Sequence, residues 1–530
     1  MAAQQSPAAL AVTTSTASPT YAEAITLLNS TQTGYKVLEA RRKAGITLDT
    51  ADPIGQMTAW LGYIGHAPKD LDKLNVVHVA GTKGKGTTCA FTNSILERYR
   101  TSAPSSSSGP KLHKIGLYTS PHLVAVRERI RINSEPISEA LFTRYFFEVW
   151  RAFEAGATAS GTDPAIKPSY FRFLTLLSFH VFLREGVDAA IYEVGVGGEL
   201  DATNVFVQPA ATAVTTLGID HVESLGATID KIAWHKAGIL KEGSHAFTIP
   251  QDSLAMTVLQ ERAVERKVAA PGLRVLEPET YTKQLASVRL TPAEDFQRKN
   301  AAVAVNLAAT VLGRLGVAGE NGDVAGVLEG GPLPAKFVDG LEQVVWRGRC
   351  ETKVTGRQKW YLDGAHNQQS LEVACQWFCR TISEDKPTDK TINILIFNQQ
   401  STRDSIELLH VVHKTLADQK FGYAIFCTNV TYKNNSWKVD FVNNNVDPAS
   451  LKSLSLQQEL ADKWRRISPS TENVTAVPTI EDAVNYVRQI EGGDVDVRAL
   501  ITGSFHLIGG ALTILEDGED FALANTSAAK

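Results

Sequence analysis

Short apolar runs rich in β-branched residues recur along the chain. Each ends in a turn of glycines or polar groups, and most are followed by residues of helical period. Asn75-Val-Val-His-Val-Ala80 reads as a buried strand that runs into Gly81-Thr-Lys-Gly-Lys-Gly-Thr-Thr88, and Cys89 to Arg98 then carries apolar residues at helical spacing. The same pattern predicts strands at Lys114–Thr119, Ala189–Val194, Ala211–Thr216 and Ala246–Ile249. Further on it predicts strands at Trp360–Leu362, Ile392–Phe397, Tyr423–Cys427 and Arg498–Ile501, with a helix from about Ser370. Strands alternating with helices imply an α/β fold built on a mostly parallel sheet covered on both faces. Gly330-Gly-Pro-Leu-Pro334 is the expected linker, giving one domain over 21–333 and a second over 341–530. Residues 1–20 are expected to form a disordered tail, 101–110 a flexible insertion, and Lys433–Asn445 a loop excursion.

With 530 residues, two to four domains are expected. A net charge of −4 gives no electrostatic reason to expect nucleic acid or an anionic membrane as partner. No apolar run of membrane-spanning length occurs. The five cysteines, Cys89, Cys350, Cys375, Cys379 and Cys427, are odd in number and scattered, which suits a reducing compartment better than a disulfide framework. Cys375 and Cys379 have no second pair at metal-ligand spacing and read as buried thiols. The uncharged start lacks a secretory signal, so a cytoplasmic location is expected, with a mitochondrial one left open.

Gly81 to Thr87 is the strongest chemical signal. Glycines let backbone N–H groups turn inward around an anion, the following helix presents its N-terminus, and Lys85 meets the charge. Thr87 is a candidate metal-side hydroxyl, although the spacing departs from G-x-x-x-x-G-K-[ST]. Glu193, at the end of an apolar strand, stands where a carboxylate can hold Mg²⁺ against phosphates, or is simply a solvated strand end. His221 reads as a structural histidine or a ligand, and Lys236 as a surface-snorkelling lysine or a functional one. Arg347 and Arg349, followed by Asp363-Gly-Ala-His-Asn367, suggest the second wall of a nucleotide site.

These motifs, together with Thr119-Ser-Pro-His-Leu123, Val126-Arg-Glu-Arg-Ile-Arg-Ile-Asn133, Glu193–Asn204, Trp234–Ile239, Gln297-Arg-Lys-Asn300 and Pro168–Thr175, resemble the folylpolyglutamate synthases of the Mur ligase superfamily, in their eukaryotic form. That resemblance implies an N-terminal P-loop domain and a C-terminal Rossmann-like domain with the active site between them. It also implies ATP-dependent addition of L-glutamate to a folate through an acyl phosphate. In that reading Gly81, Thr82, Lys83, Gly84, Lys85, Gly86 and Thr87 cradle ATP, with Gln297, Asn300, Arg349 and Asp363 completing the nucleotide site. Ser120, Glu193 and His221 serve Mg²⁺, and Lys236 is carbamylated. Lys85, Lys236 and His366 are the expected catalytic groups, while Pro121, His122, Arg127 and Arg129 border the folate. A monovalent cation such as K⁺ is a further implied cofactor, and a monomer is expected. Dihydrofolate synthase, which joins the first glutamate to dihydropteroate, is the nearest alternative. A cell-wall Mur ligase and a P-loop switch or motor ATPase are more remote.

Overall fold

A computed structural model of the protein describes residues 18–34, 36, 37, 40, 52–101, 112–317, 324, 326–385, 390–400, 405–433, 440, 452–490 and 495–516. The expected tail up to residue 17, nearly all of the 101–110 insertion and most of the Lys433–Asn445 excursion lie outside these residues. Among the described residues no helix is long and apolar enough to cross a membrane.

The first sheet has the strand order β4-β3-β2-β5-β1-β6-β7-β8. Its strands are β1 (Val77–Ala80), β2 (Ile115–Tyr118), β3 (Ile130–Ile132), β4 (Glu135–Pro136), β5 (Ala189–Glu193), β6 (Ala211–Val214), β7 (His245–Thr248) and β8 (Leu273–Val275). From β2 to β8 every pairing is parallel, and only the β2–β3 and β3–β4 pairs are antiparallel. The central strands are buried along their whole length because both faces are covered. Alternation divides them cleanly. Leu117, Ala189 and Ile191 face a core shared with the helices Lys85–Glu97 and Asp295–Arg314. Tyr118, Ala190 and Tyr192 face an aromatic core with Phe146, Phe173 and Phe179.

The second sheet runs β13-β12-β11-β14-β10-β9. It comprises β9 (Glu351–Thr355), β10 (Gln358–Asp363), β11 (Thr391–Phe397), β12 (Phe421–Cys427), β13 (Asn473–Val477) and β14 (Asp496–Thr502). All pairs are parallel except β9–β10. Trp360, Leu362, Ile394 and Ile396 point to one layer, and Tyr361, Leu395 and Phe397 to the other.

The expected linker needs correction. Ala335–Glu342 is a helix whose Phe337 and Leu341 enter the first core, and Val344 and Trp346 beyond it still pack against that core. Gly340 lies so close to Ile95 that a Cβ would come within 2.6 Å of its Cα, which seals this helix onto the Lys85–Glu97 helix. The Gly/Pro run is a turn within the first unit. Residues 341 and 342, assigned from sequence to the second domain, therefore pack with the first.

Candidate active site

The register puts the chemistry at the carboxyl ends of three adjacent parallel strands. Val79 of β1 pairs with Glu193 of β5, and Ala80 pairs with Val214 of β6. Beyond β1 the chain turns through Gly81 and Gly84, with φ of 152° and 83°. A Cβ at Gly84 would collide with Asn300, and one at Gly81 with Thr215. Thr215 Oγ1 donates to Lys83 O at 2.7 Å, while the amides of Thr82 and Lys83 both reach Thr216 O. Gly84 then caps the Lys85–Glu97 helix without any side-chain bond, so the first-turn N–H groups are available to an anion.

Lys85 and Lys236 converge here: their Nζ atoms donate to the same carbonyl, Gly81 O, at 3.0 and 2.9 Å. Lys236 does not snorkel outward, being only 4% exposed. Burial, reinforced by the charge of Lys85, pushes its pKa down to about 7. Glu193 is buried as well, and burial raises its carboxyl above the ordinary range against the opposing pull of Lys85. It accepts the Ser120 N–H at 3.0 Å, and a Cβ on Gly86 would lie 3.4 Å from its Oε1. A buried carboxylate and an adjacent hydroxyl beside a phosphate cradle form a hard-oxygen donor set suited to Mg²⁺. Among the described residues no group of three or more His, Cys, Asp or Glu could hold a metal ion. His221 is exposed, with φ of 50°, at the start of the one-turn helix Val222–Leu225.

The second wall comes from the other sheet. Asp363, at the end of β10, accepts the amides of Cys350 and Ala365, each at 2.8 Å. Burial raises its carboxyl and Arg349 opposes that shift. The Arg349 guanidinium lies 4.1 Å from the Phe505 ring centroid. Nδ1 of His366 is 2.9 Å from Gly364 O and donates to it, which leaves Nε2 as the basic nitrogen of the neutral ring. A contact joins the halves: Asn367 Nδ2 donates to Asp220 Oδ2 at 3.4 Å. Lys83 lies 3.7 Å from the same oxygen, and Trp346 packs over Gly86. Gln297 and Asn300 sit together on the Asp295–Arg314 helix, Asn300 donating to Gln297 at 3.1 Å.

The segment after β2 is folded around Glu128. Its carboxylate accepts the amides of Leu123, Val124 and Ala125 at 3.0, 3.0 and 2.7 Å. This clasp buries His122, Arg127 and Arg129 and leaves Pro121 exposed. Arg129 Nε donates to His122 Nδ1 at 3.0 Å and its guanidinium stacks on Tyr170, 5.4 Å from the ring centroid. Sequence reading missed Glu128, Thr215, Asp220, Trp346 and Phe505 as site residues. An acid three residues beyond the last of the amides it binds, Ala125, was a usable signal for Glu128. Trp346 reaches Gly86, and Phe505 reaches Arg349, Gly364 and His366, from far along the chain, which local pattern does not encode.

A phosphate cradle at the strand ends of one α/β unit, faced by a cationic and acidic wall from another, defines a two-domain nucleotide-dependent enzyme. The chain is 49% identical to the folylpolyglutamate synthase of Neurospora crassa over 94% of its length and 92% of the relative's. It is 41% identical to that of a Saccharomyces cerevisiae strain, covering 94% of this chain and 87% of the yeast one. The fold is that of Mycobacterium tuberculosis folylpolyglutamate synthase complexed with ADP, with a TM-score of 0.64, 21% identity, and coverage of 94% of this chain and 99% of that one. No family model matches the chain. The protein belongs to the folylpolyglutamate synthase family.

Proposed function

We infer that this protein is an ATP-dependent ligase that extends the glutamyl tail of folates by L-glutamate. The observation that carries this reading is the convergence of Lys85, Lys236 and Glu193 on the Gly81–Thr87 cradle, opposite Arg349, Asp363 and His366, in a chain so similar to folylpolyglutamate synthases. The tail carboxylate attacks the γ-phosphorus of ATP, ADP leaves, and an acyl phosphate forms. The glutamate amine then attacks the acyl carbon and phosphate departs. The work of the chain is charge neutralisation by Lys85 and Arg349 and exclusion of water between its halves.

Mg²⁺ would be held by Glu193 and the Ser120 hydroxyl, with His221 alongside and Thr87 near the phosphates. It would supply charge neutralisation on the phosphate oxygens. Replacing Glu193 by Gln should shift the magnesium titration of activity to higher concentration, since an amide is a poorer ligand for a hard cation. An unchanged titration removes Glu193 from the metal site. With its pKa pushed down to about 7, Lys236 has a neutral fraction near neutral pH that is nucleophilic toward CO₂, which supports a carbamate there. A carbamate would replace a second ammonium beside Lys85 with oxygen donors. K⁺ belongs to this proposal as an auxiliary cation.

Gln297 and Asn300 face the adenine, Arg349 and Asp363 hold the nucleotide from the second domain, and His366 lies near the γ-phosphate. Pro121, His122, Arg127 and Arg129 border the folate. The first domain runs through the Ala335–Glu342 helix, and the second begins in the segment that follows. A monomer located in the cytoplasm, with a mitochondrial pool open, completes the reading. Mass spectrometry of products separates the two ligase activities. Tetrahydrofolate with ATP, Mg²⁺ and glutamate should yield progressively longer tails, whereas efficient glutamylation of dihydropteroate without tail extension establishes dihydrofolate synthase instead.

A further inference from the structure

Asp440 lies far along the chain from every motif above, yet it is buried against three parts of the first domain. Its Oδ1 accepts the Tyr21 hydroxyl and the Val126 amide, both at 2.7 Å, and its own carbonyl oxygen is 3.2 Å from His122 Nε2. Tyr21 opens the first helix, Tyr21–Ser30, which is fixed by a capping box between Thr20 and Glu23. Val126 follows the Glu128 clasp, and His122 is the partner of Arg129. A single residue contributed by the second half of the sequence therefore ties the N-terminal helix to the loop that borders the folate.

The hydrogen-bond directions are determined. Arg129 Nε–H donates to His122 Nδ1, so this nitrogen is the acceptor. Nε2 must then carry the proton, and it donates to Asp440 O. His122 is held neutral, because burial and then the charge of Arg129 drive its pKa well below the ordinary value, with His506 adding to the shift. The ring is thereby locked in one orientation and one tautomer. Arg129 is aimed by it on one side and by the Tyr170 face on the other. The negative charge of Asp440 lies where Arg127 also acts on Tyr21. A buried carboxyl oxygen that accepts two short hydrogen bonds is a satisfied acceptor.

We propose that Asp440 is a positioning residue for the folate substrate: it fixes the 122–126 segment, and through it the His122–Arg129 pair. This rests on the reading that His122 and Arg129 line the folate site. Steady-state kinetics on the full chain test it, with tetrahydrofolate monoglutamate, ATP and L-glutamate varied in turn. Losing two buried acceptor contacts in Asp440→Ala should raise KM for the folate about tenfold or more. KM for ATP and for glutamate should stay within about twofold, because neither the phosphate cradle nor the second wall is touched.

Asp440→Asn keeps an oxygen at Oδ1 and should recover most of the lost affinity. Tyr21→Phe removes one hydroxyl, so it folds if any variant does. It should raise the same KM by about threefold and add little on top of Asp440→Ala, as partners in one network do. An Asp440→Ala effect that falls equally on all three substrates, or strict additivity with Tyr21→Phe, overturns the proposal in favour of a purely structural role. Arg129→Ala serves as the benchmark. If it leaves the folate KM unchanged, the reading of the folate wall itself is wrong. If it raises that KM and Asp440→Ala does not, the wall stands and the role of Asp440 falls.

Discussion

Two lysines pointing at one carbonyl oxygen summarise the site at the scale of single residues. Lys85 leads the helix that follows the glycine turn, and Lys236 arrives from the Ile229–Ala237 helix. Lys85→Ala should leave a folded protein whose turnover is lower by about 100- to 1,000-fold, the usual cost of one preorganised group facing charge that develops in the transition state. Circular dichroism and phosphate release check both halves of that expectation. Lys236 behaves differently because its pKa is pushed down to about 7, by burial first and by Lys85 and Lys83 besides, with Asp220 and Asp201 pulling the other way. Its amine is protonated below that value and neutral above it. Only the neutral amine adds CO₂, so the ¹³C carbamate signal from labelled bicarbonate should grow as pH rises through 7 and be absent in Lys236→Ala. A signal that falls with rising pH contradicts this assignment.

At the scale of elements, the turn between β1 and the Lys85–Glu97 helix does more than connect them. Gly84 has φ of 83°, and a Cβ there would press on Asn300, which itself holds Gln297. Gly84→Ala should cost about 1–2 kcal/mol in backbone strain and displace the Asn300–Gln297 pair. The KM for ATP is therefore expected to rise by about tenfold or more. Gly161 makes the control, since its φ of 67° is comparable and nothing lies within 4 Å of its Cβ position, so Gly161→Ala should affect stability alone. Equal ATP affinities in the two variants would falsify the assignment of Gly84 to the cradle. This turn was legible in the sequence because glycine spacing and strand ends are local constraints. The central strands were legible for the same reason, being apolar along their whole length. Strands β9 and β13 escaped because they sit at sheet edges, where half-exposed polar residues hide the pattern. The Gly330–Pro334 run misled, because a break in periodicity marks a turn but not which core the next helix joins. Lys236 was ambiguous in sequence, since a helical lysine among apolar residues can snorkel or turn inward, and only the packing against Gly81 decides. Asp440 had no sequence signal at all: its partners lie more than 300 positions away.

At the scale of the whole molecule, one polar contact between the two halves is placed to govern their approach. Arg380, on the Gln368–Glu384 helix of the second half, makes a bidentate ion pair with Glu294. Glu294 is the residue before the Asp295–Arg314 helix that carries Gln297 and Asn300. Arg380 is about half exposed, and exposed pairs contribute only about 0.2–1 kcal/mol, so this bridge is not a main source of stability. Its geometry gives it a different weight, because it spans the junction between the two halves. Reversing one charge, as in Arg380→Glu, places two carboxylates face to face and opposes closure. About 1.4 kcal/mol of such opposition lowers kcat/KM for ATP tenfold. The melting temperature should change little, since each half keeps its own core. Reversing both charges, Arg380→Glu with Glu294→Arg, restores attraction in the opposite sense and should return most of the lost kcat/KM. Measurements at low and high salt sharpen the test, because the penalty of the single reversal is electrostatic and must shrink as ionic strength rises. A single reversal that costs nothing, or a double reversal as poor as the single one, would show that the pair merely decorates the junction and that closure is set by Asn367 and Asp220 instead.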